Sequence, residues 1–288
     1  MNPLKIAVAS GKGGTGKTFF STNLYYSLKD NYKICLVDLD VEEPNSGLFI
    51  KDNKKINKET AYNLIPKLDT EKCILCGKCS EFCEFNAIFV TPEKWLLFAE
   101  ICKGCTACIK LCPENALKYG RKEMGAISDN GEGFVEGRLK PKEPIAVPLI
   151  KQTKQKTMEF YENLDVVIFD SPPGTTCPTI AAMKENDFIV VVGEPTPFGL
   201  NDFIITYEVL QNLNLKFGVV INRADIGNED MKNFCNEKKI PILAEIPHKK
   251  EIAESYSKGE PVVLLNEKYK KYFLSAFEKI RRITGDKS

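Results

Sequence analysis

The sequence predicts an α/β protein whose doubly wound, mostly parallel sheet is interrupted by a smaller inserted domain. Short apolar runs without polar alternation recur along the chain, as in strands buried on both faces of a sheet, and helical patterns separate several of them. The cysteines predict the insertion, because eight of the eleven fall between Cys73 and Cys112, where this strand–helix rhythm is lost. We therefore predict a main domain formed by residues 1–50 and 144–288, and an insertion at 51–143.

The composition narrows the possible classes of protein. With 288 residues, 43% of them hydrophobic, the chain can bury a substantial core in one large domain or two ordinary ones. A formal net charge of +1 supplies no basic excess for nucleic acid, so we expect no nucleic-acid partner. No apolar run approaches the roughly 20 residues that span a bilayer. Met1 to Lys5 lead into the first strand without a signal peptide, so the clustered cysteines indicate metal binding in the cytoplasm and not disulfides.

The first predicted strand leads into a glycine-rich loop. Apolar residues 6–9 are followed by Gly-Lys-Gly-Gly-Thr-Gly-Lys-Thr at residues 11–18, and then by a helical pattern. This strand–loop–helix order is the context of a phosphate-binding P-loop. Its glycines leave room for successive backbone N–H groups to surround phosphate oxygens, and the helix N-terminus adds partial positive charge. The loop residues expected to bind ATP are Gly11, Gly13, Gly14, Thr15, Gly16, Lys17 and Thr18.

Two side chains of this loop have individual predicted roles. Lys17 is expected to reach the β- and γ-phosphates, and the Thr18 hydroxyl is expected to ligate Mg²⁺. A chance glycine-rich turn is the alternative, but the complete Gly-x4-Gly-Lys-Thr pattern after a strand favours the P-loop.

Polar residues follow the later buried strands. In chain order they are Asp38 and Asp40 after residues 33–37, Asp170 and Ser171-Pro172-Pro173-Gly174 after residues 165–169, and Asn222 after residues 217–221. The carboxyl ends of parallel strands face the crevice in which α/β folds bind ligands, so we expect these residues at one ligand site. An asparagine amide can pair with both the donor and the acceptor of an adenine edge. Simple turn chemistry is the alternative for each of them.

The cysteines form two matching runs. The first is Cys73-x2-Cys76-x2-Cys79-x3-Cys83, and the second is Cys102-x2-Cys105-x2-Cys108-x3-Cys112. This is the bacterial ferredoxin spacing, repeated, and it predicts a ferredoxin-like domain at about residues 69–119 that binds two [4Fe–4S] clusters. Zinc is the alternative metal, but zinc sites favour short cysteine pairs over two runs of four. One departure from the ferredoxin pattern is Glu84, which stands where a proline usually follows the fourth cysteine, as Pro113 does in the second run.

In two-cluster ferredoxins the fourth cysteine of each run ligates the other cluster, because one tight loop can reach only three corners of a cubane. The predicted ligands of the first cluster are therefore Cys73, Cys76, Cys79 and Cys112. Those of the second are Cys102, Cys105, Cys108 and Cys83.

Lys12 directly follows the first glycine of the P-loop, where most P-loops tolerate any residue. Together with Asp40, Asp170-x-Pro-Pro-Gly and Glu194-Pro-Thr-x-Phe-Gly-Leu, it makes the chain resemble the MinD/Mrp/ParA group of ATPases, which also contains the nitrogenase iron protein. The resemblance extends over nearly the whole chain. Within this group, the chain resembles the members that carry an inserted two-cluster ferredoxin domain.

The resemblance implies a homodimer that sandwiches ATP, in which Lys12 reaches the nucleotide of the partner as an arginine finger does. By the same resemblance, Asp40 orients the attacking water, Asp170 holds Mg²⁺ through water, and the Gly174 N–H binds the γ-phosphate. Asn222 matches the position that contacts the base. Asp38 is expected to hold the loop that follows it.

Two functions of different class fit this sequence. In the first, ATP binding and hydrolysis are coupled to iron–sulfur chemistry, either electron transfer to a redox partner or the assembly and delivery of a metallocofactor. In the second, the protein is a positioning ATPase like MinD or ParA whose clusters sense redox state. The near-neutral charge and the absence of a clear surface anchor favour the first. A simple electron carrier would not need the complete ATPase site.

Four features outside these motifs carry expectations of their own. Cys35 and Cys235 are expected to be small buried apolar residues, and His248, the only histidine, a loop residue. The apolar stripe of the C-terminal helix is expected to pack on the sheet and not to dock on a membrane. Cys177 follows the second switch, as a cluster-ligating cysteine does in the nitrogenase iron protein. We hypothesise that Cys177 lies near its symmetry mate in the ATP-bound dimer. The alternative is that it is a small residue that packs at the start of a helix.

Overall fold

The structure is a computed structural model that describes residues 2–51 and 54–285. The strands in these residues are β1 (Leu4–Ala9), β2 (Ile34–Asp38), β3 (Asn57–Leu68), β4 (Ile88–Val90), β5 (Trp95–Leu97), β6 (Leu117–Asp129), β7 (Phe134–Leu139), β8 (Val166–Asp170), β9 (Phe188–Gly193), β10 (Phe217–Asn222) and β11 (Ile242–Ile246). The α-helices are α1 (Lys17–Leu28), α2 (Lys78–Glu81), α3 (Ala107–Leu111), α4 (Val147–Phe160), α5 (Cys177–Met183), α6 (Pro197–Asn212), α7 (Asp230–Glu237), α8 (Lys250–Ser257), α9 (Val262–Leu265) and α10 (Lys270–Thr284).

One large sheet organises the chain. Its strand order is β11-β10-β9-β1-β8-β2-β7-β6-β3. From β11 to β7 every neighbouring pair is parallel, whereas β6 pairs antiparallel with both β7 and β3. The predicted mostly parallel, doubly wound sheet is therefore confirmed. Strands β1, β8 and β2 are adjacent and in register at their carboxyl ends, where Val8 and Asp38 both lie opposite Asp170.

Helices cover both faces of the sheet because the central strands are apolar on both sides. In β1, Ile6 and Val8 face a core shared with α1, α9 and α10, while Ala7 and Ala9 face a core shared with α4, α5, α6 and α7. The C-terminal helix α10 buries its apolar stripe in the first of these cores, which confirms the predicted packing on the body of the protein. Among the described residues, no helix combines the length and the apolar character needed to cross a membrane.

The predicted insertion at 51–143 begins with a strand, β3, that was not predicted from the sequence. Residues 57–59 open β3, which pairs with β6 along its whole length in a long antiparallel hairpin. The charged start of β3 is exposed on both faces, so it lacks the apolar signal of a buried strand. Strands β6 and β7 form an antiparallel pair, and β7 also pairs in parallel with β2. The main sheet thus resumes at β7, before the predicted boundary at residue 143.

The cysteine-rich module lies at the far end of the β3–β6 hairpin. Leu68 and Leu117 are paired at the base of the module, and the Asp69 N–H donates to the Ala116 carbonyl oxygen at 2.7 Å. Between these points the chain forms α2, the short β4–β5 hairpin and α3. The module is therefore attached to the main sheet through two continuous strands.

Candidate functional site

The glycine-rich loop connects β1 to α1 and has little space for side chains. Gly16, in the left-handed region with φ of 101°, precedes the first residue of α1, and a Cβ there would collide with the amide of Asn222. A Cβ at Gly11 would collide with the backbone of Asp202 in α6. These close approaches explain why glycine is required at both positions and fix the loop against α6 and β10.

The two lysines of the loop lie in different surroundings. Lys17 is buried at the start of α1. Burial lowers its pKa, and the carboxyl groups of Asp170, Asp40 and Asp38 oppose that shift. Lys12 is instead partly exposed, and its Nζ lies 3.6 Å from Oδ2 of Asp202. Lys17 therefore points into the site, while Lys12 is held at its rim by an ion pair within the same chain.

Asp38 organises the loop that follows β2, which we call the first switch loop (residues 39–46). Its buried carboxylate accepts hydrogen bonds from the backbone N–H groups of Asp40 at 3.0 Å, Asn45 at 2.9 Å and Ser46 at 2.8 Å. Burial and then the neighbouring Asp170 carboxyl raise the pKa of Asp38 well above its usual range, and the hydrogen bonds oppose this. The expectation that Asp38 holds the loop is confirmed.

The two predicted Mg²⁺-binding residues are brought together by the same loop. The buried carboxylate of Asp170 accepts hydrogen bonds from the hydroxyls of Ser21 at 3.1 Å and Ser46 at 2.7 Å. The Thr18 hydroxyl donates to Oδ1 of Asn45 at 3.0 Å. Oxygen ligands of this kind suit Mg²⁺. Ser21, Asn45 and Ser46 were not predicted from the sequence, since serine and asparagine in a loop or helix carry no motif of their own.

Asp40 lies at the edge of the same group of acids. Burial raises its pKa to about 6, and Asp170 adds to the shift, while the backbone N–H of Glu43 and the ammonium of Lys17 oppose it. Three carboxyl groups, those of Asp38, Asp40 and Asp170, thus stand near one buried lysine. A divalent cation would offset this excess of acid groups.

Two other predicted contacts have partners within the chain. The Gly174 N–H donates to the Ser10 carbonyl oxygen at 3.0 Å. The Asn222 amide donates to the Thr15 carbonyl oxygen at 2.8 Å, and its Oδ1 accepts the Arg223 N–H at 3.0 Å. The roles of Gly174 toward the γ-phosphate and of Asn222 toward the base stay predictions. The single Gly174 N–H would have to exchange Ser10 for the phosphate, whereas the Asn222 amide has a second N–H and a second acceptor lone pair.

Lys17 and Thr18 lie in the wall of one cleft of about 410 Å³, within the usual range for small-molecule sites. Lys12, Asp38 and Gly174 are not among the residues that line it. Its wall includes Asp40, Asp170 and Asn222 from the strand ends, and His248, Lys249 and Tyr256 from the loop and helix after β11. His248 is a loop residue as expected, but its place in the cleft wall was not predicted. Within residues 2–51 and 54–285, the hydroxyls of Ser171, in the wall, and of Thr15, in the glycine-rich loop, are buried without hydrogen-bond partners. Such unpartnered donors fit a ligand rich in acceptor oxygens, such as a nucleotide phosphate.

The cysteines line two separate cavities in the module. We call the one lined by Cys73, Cys76, Cys79 and Cys112 the first cysteine cavity. The second cysteine cavity is lined by Cys83, Cys102, Cys105 and Cys108. Each cavity thus combines three cysteines of one run with the fourth of the other. Among the described residues, no three His, Cys, Asp or Glu side chains are grouped tightly enough to hold a single metal ion.

The two runs share the same backbone geometry. Leu75 and Gly104, at equivalent positions, both have positive φ, and so do Gly77 and Thr106. The sulfur of each fourth cysteine accepts the N–H of the residue four positions later, at 3.2 Å for Cys83 and 3.3 Å for Cys112. Non-glycine residues rarely adopt positive φ, so the shared conformation indicates two equivalent half-sites despite Glu84.

The other three cysteines lie outside these cavities. Cys35 and Cys235 are buried in the apolar core, as predicted. Cys177 is exposed at the first residue of α5. Its nearness to a symmetry mate remains a prediction.

Comparison with known proteins agrees with this geometry. The pattern of the CobQ/CobB/MinD/ParA nucleotide-binding domain matches residues 6–262. An uncharacterised protein of Methanocaldococcus jannaschii is 30% identical, over 91% of this chain and 92% of its own. The iron–sulfur cluster carrier protein of Aquifex aeolicus is 24% identical, over 98% of this chain and 68% of its own. MinD of Pyrococcus horikoshii, solved with Mg-ADP, has the same fold, with 20% identity, a TM-score of 0.59 and coverage of 100% of this chain and 99% of that one. The chain therefore belongs to the CobQ/CobB/MinD/ParA family of nucleotide-binding domains and is a P-loop ATPase of the MinD/ParA type.

Proposed function

We propose that this ATPase couples ATP binding and hydrolysis in a nucleotide-sandwich homodimer to iron–sulfur chemistry at two [4Fe–4S] clusters in a cytoplasmic, ferredoxin-like module. The output is electron transfer to a redox partner, or assembly and delivery of an iron–sulfur or other metallocofactor. The observation that carries the proposal is the division of the eight cysteines between two cavities, each with three members of one run and the fourth of the other. This is the ligand exchange of two-cluster ferredoxins.

The nucleotide part of the proposal assigns roles to residues of the cleft. Lys17 and the loop N–H groups bind the phosphates, Thr18 and Asp170 hold Mg²⁺, and the half-buried Asp40 orients the attacking water. The cation, when bound, neutralises charge that develops on the phosphate oxygens. Lys12 of one protomer supplies a further positive charge to the nucleotide of the other, for which it must leave Asp202.

The first switch loop provides a physical connection between the two parts. Val41, in this loop, accepts a hydrogen bond from the Leu139 N–H of β7 at 2.8 Å. Arg138 of β7 donates to the Pro44 carbonyl oxygen at 3.5 Å and to Oε1 of the buried Glu136 at 3.1 Å. Strand β7 is in turn paired with β6, which leads to the cysteine module. A change of the loop on ATP binding is therefore transmitted to strands that carry the proposed clusters.

The test is anaerobic purification of the full chain with iron and acid-labile sulfide analysis, followed by partner capture with and without ATP. We expect about eight irons per chain for two filled cubanes, and a captured redox or metallocofactor protein whose recovery depends on ATP. Near-zero iron with stoichiometric zinc would contradict the cluster proposal. Full iron with ATPase activity that ignores the redox state of the clusters would contradict the coupling.

The second candidate function is a positioning ATPase with redox-sensing clusters. It is supported by the fold shared with MinD, a septum site-determining protein. The two candidates differ in what ATP recruits: cosedimentation with vesicles or DNA only in the presence of ATP would favour positioning. ATP-dependent change in the reduction of the clusters would favour iron–sulfur chemistry.

A further inference from the structure

One residue makes the two cysteine cavities chemically different. Trp95, in the short strand β5, lines the first cysteine cavity. Its indole N–H is buried, although the ring is partly exposed. Within the part of the chain that the structure describes, it makes no hydrogen bond of normal geometry, and the Cys79 sulfur is an acceptor within its reach. A buried donor without a good acceptor costs about 1–3 kcal/mol, so its retention calls for an explanation.

Sulfur is the most abundant side-chain acceptor around the indole. Besides Trp95, the first cysteine cavity is lined by Cys73, Cys76, Cys79 and Cys112, by apolar residues such as Leu68, and by the charged residues Lys78 and Glu114. Sulfur is a weak acceptor as a thiol, but it accepts hydrogen bonds well when it carries negative charge.

The second cysteine cavity has no equivalent of this donor. Each cavity is lined by one lysine, Lys78 in the first and Lys103 in the second, and the first is also lined by Glu114, whose negative charge opposes reduction of a cluster there. The aromatic residues at the second cavity are Phe82 and Phe85, which have no N–H. In the described residues, no side-chain donor of the second cavity is buried without a partner.

We propose that the Trp95 N–H would donate a hydrogen bond to sulfur of a cluster in the first cysteine cavity and raise the reduction potential of that cluster above the value it would have without this donor. Reduction adds one negative charge to a cluster, and a hydrogen bond to its sulfur is stronger in the more negative state, so the bond raises the reduction potential. This inference rests on the proposed binding of two clusters.

The test is a redox titration of the anaerobically purified full chain, followed by electron paramagnetic resonance, for the parent and Trp95→Phe. Phenylalanine keeps an aromatic ring in place and removes only the donor. At a fixed potential we expect the reduced-to-oxidised ratio of the first cluster to fall about tenfold, which corresponds to about 59 mV for a one-electron couple. The second cluster should titrate as in the parent. The signals are assigned with Cys105→Ala, which removes a ligand of the second cluster only.

Two further variants keep the test decisive. Phe85→Leu changes the packing of the second cavity without altering a donor, so it should leave the first potential unchanged. Trp95→His restores a ring N–H and should recover part of the lost shift. Unshifted potentials in Trp95→Phe with both clusters filled would overturn this inference alone. Absence of iron from the parent protein would overturn the proposed function as well. Loss of the first cluster in Trp95→Phe, without recovery in Trp95→His, would show that the ring only maintains the cavity and would overturn the tuning role.

Discussion

Lys12 and Lys17 belong to the same loop, but Lys17 is buried and Lys12 is partly exposed. Their substitutions should therefore separate nucleotide binding from turnover. Lys17→Ala removes the buried cation opposite Asp170 and should abolish nucleotide binding. Lys12→Ala removes an ammonium group that pairs with Asp202 at the rim. It should leave nucleotide binding within a few-fold of the parent, because Lys12 lies outside the phosphate-binding interior. Turnover and ATP-dependent dimerisation should fall, turnover by about 10³-fold if Lys12 acts as an arginine finger does.

The measurements are nucleotide affinity by calorimetry, dimerisation by analytical ultracentrifugation and steady-state ATPase rate. Asp202→Asn is the matched control, since it removes the ion pair but keeps the lysine, and it should retain turnover. A Lys12→Ala protein as active as the parent would show that the lysine does not act across the dimer.

Asp40 should destabilise the nucleotide-free protein at neutral pH. Its pKa is raised to about 6 by burial, so the folded state binds its proton more tightly than the unfolded state does. The free energy of unfolding therefore decreases because of Asp40 as pH rises from about 4 to 6, and this decrease is constant above pH 6. Asp40→Asn should raise the free energy of unfolding at pH 7.5 by about 1–2 kcal/mol, allowing for partial solvent screening.

Thermal unfolding of both proteins between pH 4 and 8, without nucleotide or Mg²⁺, measures this difference, which should vanish near pH 4. The same variant should bind ATP and dimerise but turn over slowly, because the group that orients water is lost. Equal melting temperatures at pH 7.5 would contradict the burial of a charged carboxylate at this position.

At the level of single residues, the sequence predicted the acids and lysines of the site because each follows a buried strand or belongs to a spaced motif. It did not predict Ser21, Asn45 or Ser46. Asn45 and Ser46 reach Thr18 and Asp170 because Asp38 folds the first switch loop back over the strand ends. Ser21 reaches Asp170 because α1 packs against β8. Nor did it show that the Asn222 amide is already bonded to the glycine-rich loop. Such contacts depend on loop geometry, which local sequence patterns do not determine.

At the level of the elements, the cysteine module allows a direct test of ligand exchange, because the fourth cysteine of each cavity comes from the other run. Cys112→Ser should damage the cluster of the first cavity and spare that of the second, although Cys112 belongs to the second run. Iron content should fall by about half. The matched variant Cys83→Ser should give the reverse pattern, and the electron paramagnetic resonance of the remaining cluster identifies which site is filled. Damage to the second cluster in Cys112→Ser would refute the exchange of ligands.

The parallel strands were predicted well, because they are short apolar runs buried on both faces. Strands β3 and β6 were not, since much of their length is exposed and charged. Strand β7 was not identified as part of the main sheet. It contains Gly137, which is required because a Cβ there would collide with Thr153 of α4. Close packing of a helix on a strand can thus remove the apolar side chains by which a strand is detected.

At the scale of the whole molecule, β7 joins the cysteine module to the nucleotide cleft, and this has a thermodynamic consequence. If ATP binding shifts the reduction potential of the clusters, reduction must shift ATP affinity by the same free energy, since the two are linked equilibria. A potential change of about 59 mV thus corresponds to an about tenfold change in ATP affinity. The two quantities can be measured independently, by redox titration with a non-hydrolysable ATP analogue and by calorimetry of the oxidised and reduced protein.

We expect both shifts to be non-zero in the parent and to shrink together in Arg138→Ala, which removes the contact of β7 with Pro44 of the first switch loop. Lys140→Ala is the matched control, because Lys140 pairs with Glu123 of the hairpin and not with the loop. The redox state of the cell would then raise or lower the fraction of the protein that holds ATP. The shift in reduction potential on ATP binding gives the size of that effect.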